Sequence, residues 1–204
     1  MGLISDGSTV FDAGAMAAGF GGALVFIKKL TASNSATLSF VNGASSVVLD
    51  TTYKEYLFTL KNIHAGTDDT GLTFNVSIDG GTNYNVAKTT TFFRATHGED
   101  GSSGAIAYVT GADLAQGTGF SRLDNDMGSD NDQCMSGVLS LYNPGQTSFV
   151  KHFISRTSVS RPTNRANDVN TSGYANTTTA INAVQFKMNS GNIGSGDICL
   201  YGIG

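Results

Sequence analysis

The 204 residues include only 14% charged side chains, carry a formal net charge of −4, and place 26 glycines among abundant Ser, Thr and Asn. Such a chain is not intrinsically disordered, because 40% of it is hydrophobic. Nor does it suit duplex nucleic acid, which demands a basic surface to displace counterions. No stretch approaches the ~18 apolar residues that would cross a bilayer, so no membrane insertion is expected.

Residues 1–22 show no sustained period. Small residues dominate them, with Leu3, Ile4, Val10, Phe11, Met16 and Phe20 as isolated apolar anchors. Asp6 precedes any Lys or Arg, and Gly14, Gly19, Gly21 and Gly22 interrupt the small-residue run, so no secretory leader is expected and the chain is made in a cytoplasm. Two readings of the segment stand: a flexible leader, or a short irregular docking arm whose six anchors order against a partner.

From residue 23 onward the pattern is that of strands. Residues 23–30 and 36–41 are short candidates. In residues 53–63, Tyr56, Phe58 and Leu60 share one face at period two. Leu72, Phe74, Val76 and Ile78 alternate with Thr73, Asn75 and Ser77, which predicts one dry face and one wet one. The glycine-containing turn "SIDGGTNY" follows, and residues 87–93 are the expected return strand of a hairpin. "NPGQ" at residues 143–146 separates two more strands, residues 135–142 and 147–155. Val184, Phe186 and Met188 alternate with polar neighbours, and residues 198–203 close the chain as an apolar strand. Residues 96–105, 111–133 and 159–173 read as long polar loops. No helical stripe is sustained. The expectation is an all-β chain of about nine to eleven strands, an antiparallel β-sandwich of jelly-roll type over residues 23–204.

The sharpest local signal is "DNDMGSDND". Asp124, Asp126, Asp130 and Asp132 lie within nine residues around Gly128 and would repel one another without a cation. Ca²⁺ takes such clustered oxygens, but the Glu that completes an EF-hand loop is missing. Bound calcium and a solvated acidic loop are both open, the second favoured by that gap. His64, His97 and His152 accompany no Gly-x-Ser-x-Gly elbow and no paired metal-ligand spacing, so no catalytic residues and no enzyme are expected. Cys134 and Cys199 stand far apart without a CxxC or Cys/His cluster. They read as two thiols used as small apolar side chains, with a single disulfide as the alternative.

Three segments carry a resemblance: "IKKLTASNSATLSFVNG" from Ile27, "YKEYLFTLKNIHAGTDDTGLTFNVSIDGG" from Tyr53, and "INAVQFKMNSGNIGSGDICLYGIG" from Ile181. They resemble β-rich virion structural proteins of marine tailed bacteriophages. The likeness spans nearly the whole chain beyond residue 22, although its motifs are strand and turn patterns. It implies a virion protein, either a tail-associated fibre or knob that binds the host surface or another tail component, or a capsid decoration (cement) protein. It further implies other virion proteins as partners, a possible host surface receptor, and a homo-oligomer, a trimer by analogy of class.

Overall fold

The computed structural model describes residues 24–204 apart from Ser102, together with the backbone of three short strands nearer the N-terminus. Those three, β1 (Leu3–Ser5), β2 (Ser8–Asp12) and β3 (Ala15–Met16), form a small antiparallel sheet in the order β1-β2-β3. The arm read from the sequence as irregular therefore contains strands. Among the described residues these pair only with one another. Of the six anchors, Leu3, Ile4, Val10, Phe11 and Met16 fall in these strands, while Phe20 lies outside the described residues.

The body begins with β4 (Leu24–Ser35), β5 (Leu38–Val41), β6 (Glu55–Ala65) and β7 (Leu72–Ser77). Next come β8 (Lys88–Gly98), β9 (Gly104–Tyr108), β10 (Ser121–Arg122) and β11 (Met135–Tyr142). The last are β12 (Lys151–Arg161), β13 (Arg165–Ala175), β14 (Ala183–Met188) and β15 (Ile193–Ile203). No helix occurs among the described residues. All pairings are antiparallel: a large sheet runs β4-β15-β6-β11-β12-β13-β8-β9, and a small one runs β10-β7-β14-β5. With β8, β9, β12 and β13 set aside, β4-β15-β6-β11 lies opposite β5-β14-β7-β10, and the chain changes sheet at every step except β7 to β10.

The core forms where the period-two faces of the two sheets meet. Tyr56, Phe58 and Leu60 of β6 are buried, as are Val184, Phe186 and Met188 of β14, in line with their alternation. Phe40, Phe58, Phe74, Phe153 and Phe186 pack edge to face across the sandwich, with centroids 4.9 Å apart for Phe74 and Phe153 and 5.3 Å for Phe40 and Phe58. That geometry matches the positive edge of one ring to the negative face of the next.

Residues 87–93 do not return against β7. They open β8, which pairs with β13 and β9 in the other sheet, while β7 pairs with β14 and β10. The turn itself is built as expected: Gly80 and Gly81 take positive φ (74° and 84°), and the Asp79 carboxylate accepts from the Ser77 hydroxyl and the Asn83 N–H. Those bonds hold its pKa at about 2. Residues 159–173 are mostly strand, being the end of β12 and most of β13, joined by a short turn. Their polar side chains masked the pattern, because inward Asn167 and Thr171 are buried as polar groups.

The polar face of β7 is not wet either. Thr73, Asn75 and Ser77 are as buried as the apolar set. Residues 84 and 118–119 cross over this face, and the Asn75 amide donates to the carbonyls of Tyr84 (2.6 Å), Thr118 (3.0 Å) and Gly119 (3.3 Å). Long connections thus lie across the sandwich and satisfy the polar groups that they bury.

Candidate functional site

The acidic loop is drawn into the fold by backbone pairing. The Leu123 N–H donates to the Leu72 carbonyl, and Met127 and Thr70 exchange both their bonds. Only a glycine fits at position 71, where a Cβ would stand 2.0 Å from the Asp124 carbonyl oxygen. This closure places Asp124, Asn125 and Asp126 against the inner face of β8 and β12. There the Arg94 guanidinium bonds the Asn125 amide oxygen at 2.9 Å and pairs with Asp126, and Arg161 reaches the same Asp126 oxygen at 2.9 Å. Asp124 is fully buried, and burial pushes its pKa up to about 7 against the opposing pull of Arg161 and Arg94.

The four carboxylates grouped by the sequence are therefore split. Asp126 turns inward to two arginines and Asp124 is buried beside it, one carboxylate oxygen accepting the Asp126 N–H, whereas Asp130 and Asp132 are exposed beyond Gly128. Among the described residues no group of three or more His, Cys, Asp or Glu side chains is arranged to hold a metal. The positive charge beside the inward pair comes from the chain itself, from strands about thirty residues to either side. A sequence signal for this existed: Phe92 faces the core at period two, so Arg94 had to face inward and needed a partner.

At the opposite end of β12 lies an open cleft of about 750 Å³, lined by Tyr142, Asn143, Gln146, Ser148, Phe149, Val150, His152 and Thr178. The "NPGQ" turn makes one wall. Asn143 takes a positive φ of 45°, its N–H donates to the Lys54 carbonyl at 2.7 Å, and Gly145 packs so tightly on residues 50–51 that a Cβ would meet the Asp50 backbone at 2.5 Å. Gln146 then staples the loop tip: its amide oxygen accepts the N–H groups of Ser148 (2.6 Å) and Phe149 (2.8 Å), and its NH₂ donates to the Phe149 carbonyl (2.7 Å). Phe149 is held in that tip with 74% of its surface exposed.

Lys151 ties the two walls together. Its side chain is buried and its ammonium donates to the carbonyls of Phe149 (3.0 Å) and Thr177 (3.2 Å), while burial draws its pKa below the ordinary lysine value. His152, beside it, points outward, 6.1 Å from the Tyr174 ring. The lining has aromatic rings and neutral hydroxyl and amide groups, with no carboxylate, lysine or arginine. Such a surface can stack on an apolar sugar face or an aliphatic chain and hydrogen-bond an uncharged polar group. The cleft was not assigned from the sequence, which marked residues 143–146 only as a turn.

The remaining candidates are dispersed. The His64 ring nitrogen lies 3.2 Å from the Asp130 carbonyl, and His97 is exposed near the far end of β8. Cys134 and Cys199 are both free thiols, the second buried. No protein-family model, no curated protein and no solved structure matches the chain.

Proposed function

We propose that this chain is a non-enzymatic virion structural protein of a tailed bacteriophage, a compact tail-associated knob whose stapled cleft docks a neutral glycan of the host surface or another tail component. The observation that carries this reading is the cleft itself, with a preformed wall, an exposed Phe149 and no carboxylate, lysine or arginine in its lining. Because Gln146 and Lys151 already hold its walls, little ordering entropy remains to be lost on binding. The alternation of eight body strands between two sheets supports a jelly roll, an architecture used by capsid and lectin domains alike. The sequence resemblance supplies the virion context.

The capsid decoration reading is favoured by one different observation: among the described residues β1–β3 pair with one another and with no strand of the body, an arrangement that suits a handle for a shell lattice. Gold-labelled antibody on intact virions separates the two. Label at the tail pole supports the knob, label over the head supports decoration, and particles without label refute both. For the cleft, binding of purified host surface polysaccharide is measured with the wild type and with Phe149→Ala. Retained affinity in the variant refutes the cleft as the docking site.

A further inference from the structure

We infer that the outer face of the large sheet is an interface between copies of this chain. Nine large apolar side chains are exposed in the body, and seven of them project from this one face. Leu24 and Phe26 stand on edge strand β4, Val138 and Ile154 on the central strands, and Phe93, Ile106 and Tyr108 at the β8–β9 edge. The register aligns them into rows. Phe26, Tyr201 and Leu57 face one another and lead through Ser140 to Ile154, while Val138 leads through Arg156 and Asn170 to Phe93 and Tyr108. Soluble surfaces scatter single apolar side chains; seven exposed ones gathered on one face, with Ser140, Arg156 and Asn170 between them, are the mixture that a binding surface presents.

A second copy fits this face better than a strongly charged partner, because its charges are of both signs, Lys61 lying beside Asp197, and most are bonded within the chain. Arg156 makes two bonds to Asp168 (2.9 and 2.7 Å), Glu55 accepts from the Ser140 hydroxyl (2.6 Å), and Lys29 pairs with Asp197 (3.3 Å). Such a face offers no field to steer an oppositely charged protein, and like faces do not repel. It also holds a knob and a hollow: Ile154 is 54% exposed, and a depression of about 420 Å³ opens between Val138, Arg156 and Asp168 over Gly137, its Arg156 two residues along β12 from Ile154. Knob and hollow on one patch are what two identical surfaces need to interdigitate.

The area is sufficient. Eight strands ~4.8 Å apart and about seven residues deep at ~3.3 Å each cover roughly 800 Å², the share one partner contributes to a stable interface. Edge strand β9 reinforces the case. It reads Gly-Ala-Ile-Ala-Tyr, is exposed along its length, and carries none of the charges that normally guard a free sheet edge.

Sedimentation velocity on the full chain at micromolar concentration tests the inference, with Ile154→Asp and Val138→Lys as interface variants and Ile78→Asp as a control outside the face. The expected result is a discrete oligomer that each interface variant weakens about 100-fold or more, since a charge would be buried without a partner, while Ile78→Asp leaves it intact. Far-ultraviolet circular dichroism and melting curves establish that each variant is folded, and two separate positions guard against one failing to fold. A monomeric wild type, or an oligomer indifferent to both interface variants, overturns the inference. Tyr142 and His152 of the cleft lie at one end of this same face, but self-association is read without glycan, so its failure is distinguishable from a failure of glycan docking.

Discussion

Lys88 offers the most quantitative test of the packing described above. Its side chain is fully buried at the start of β8, and its ammonium donates to the Asn75 amide oxygen at 2.5 Å and to the Val86 carbonyl at 2.9 Å. Neither acceptor carries a charge, and burial lowers its pKa from 10.5 to about 8. At about 1.4 kcal/mol per pH unit, that displacement corresponds to about 3 kcal/mol of stability. The sign follows from proton binding. Below about pH 8 both folded and unfolded chains hold the proton, so the full desolvation cost is present. Between about 8 and 10.5 the unfolded chain still binds it and the folded chain does not, so stability rises with pH.

Lys88→Met preserves length and removes the titration. Guanidinium unfolding of both proteins across this range cancels contributions from the other groups. The stability of the wild type relative to the variant is expected to climb by about 1 kcal/mol by about pH 9 and by about 2 kcal/mol by about pH 10. At neutral pH the variant gains from losing a buried charge but strands two acceptors, each of which costs about 1–3 kcal/mol, so the slope is the diagnostic quantity. A difference that stays flat from neutral to about pH 10, or falls, would refute the view that Lys88 is held in a dry, carboxylate-free site.

Asp126→Asn removes the carboxylate shared by Arg94 and Arg161 and leaves two largely buried guanidiniums facing each other, so thermal or denaturant melts should report a loss of about 3 kcal/mol. Asp124 behaves oppositely to Lys88. Its pKa is raised to about 7, so its contribution is fully present below about pH 4 and is lost as pH rises through about 7. The wild type should therefore lose stability relative to Asp124→Asn across that window, and parallel pH profiles would count against burial as the cause. Gly202→Ala puts a Cβ 2.2 Å from the Tyr53 ring and must displace it, at a cost of about 1–3 kcal/mol. Unchanged stability there would mean that the ring does not rest on the glycine. Gln146→Ala should speed amide hydrogen exchange at Ser148 and Phe149 while leaving the core strands protected, because it removes the staple and nothing in the sandwich.

What the residues determined by themselves is the all-β class and the inward face of the strands that alternate most clearly. Tyr56, Phe58 and Leu60, or Val184, Phe186 and Met188, had to face one way because strand side chains alternate, and the core is built from those faces. The tight turns at Asp79–Gly81 and Asn143–Gln146 were equally legible, since Gly and Asn accept the positive φ that such turns require. Which strands pair was decided only by the tertiary structure. β8 left its neighbour in sequence for β13, because closing a longer loop costs little extra entropy and nothing local distinguishes one antiparallel partner from another. The same holds for the polar groups. Thr73, Asn75 and Ser77 look wet and are dry because a distant segment covers them, and Asp126 looks like a cation ligand and is met by Arg94 and Arg161. Burial and charge pairing depend on what arrives from elsewhere in the chain, and that is a property of the assembled sheets rather than of any window of residues.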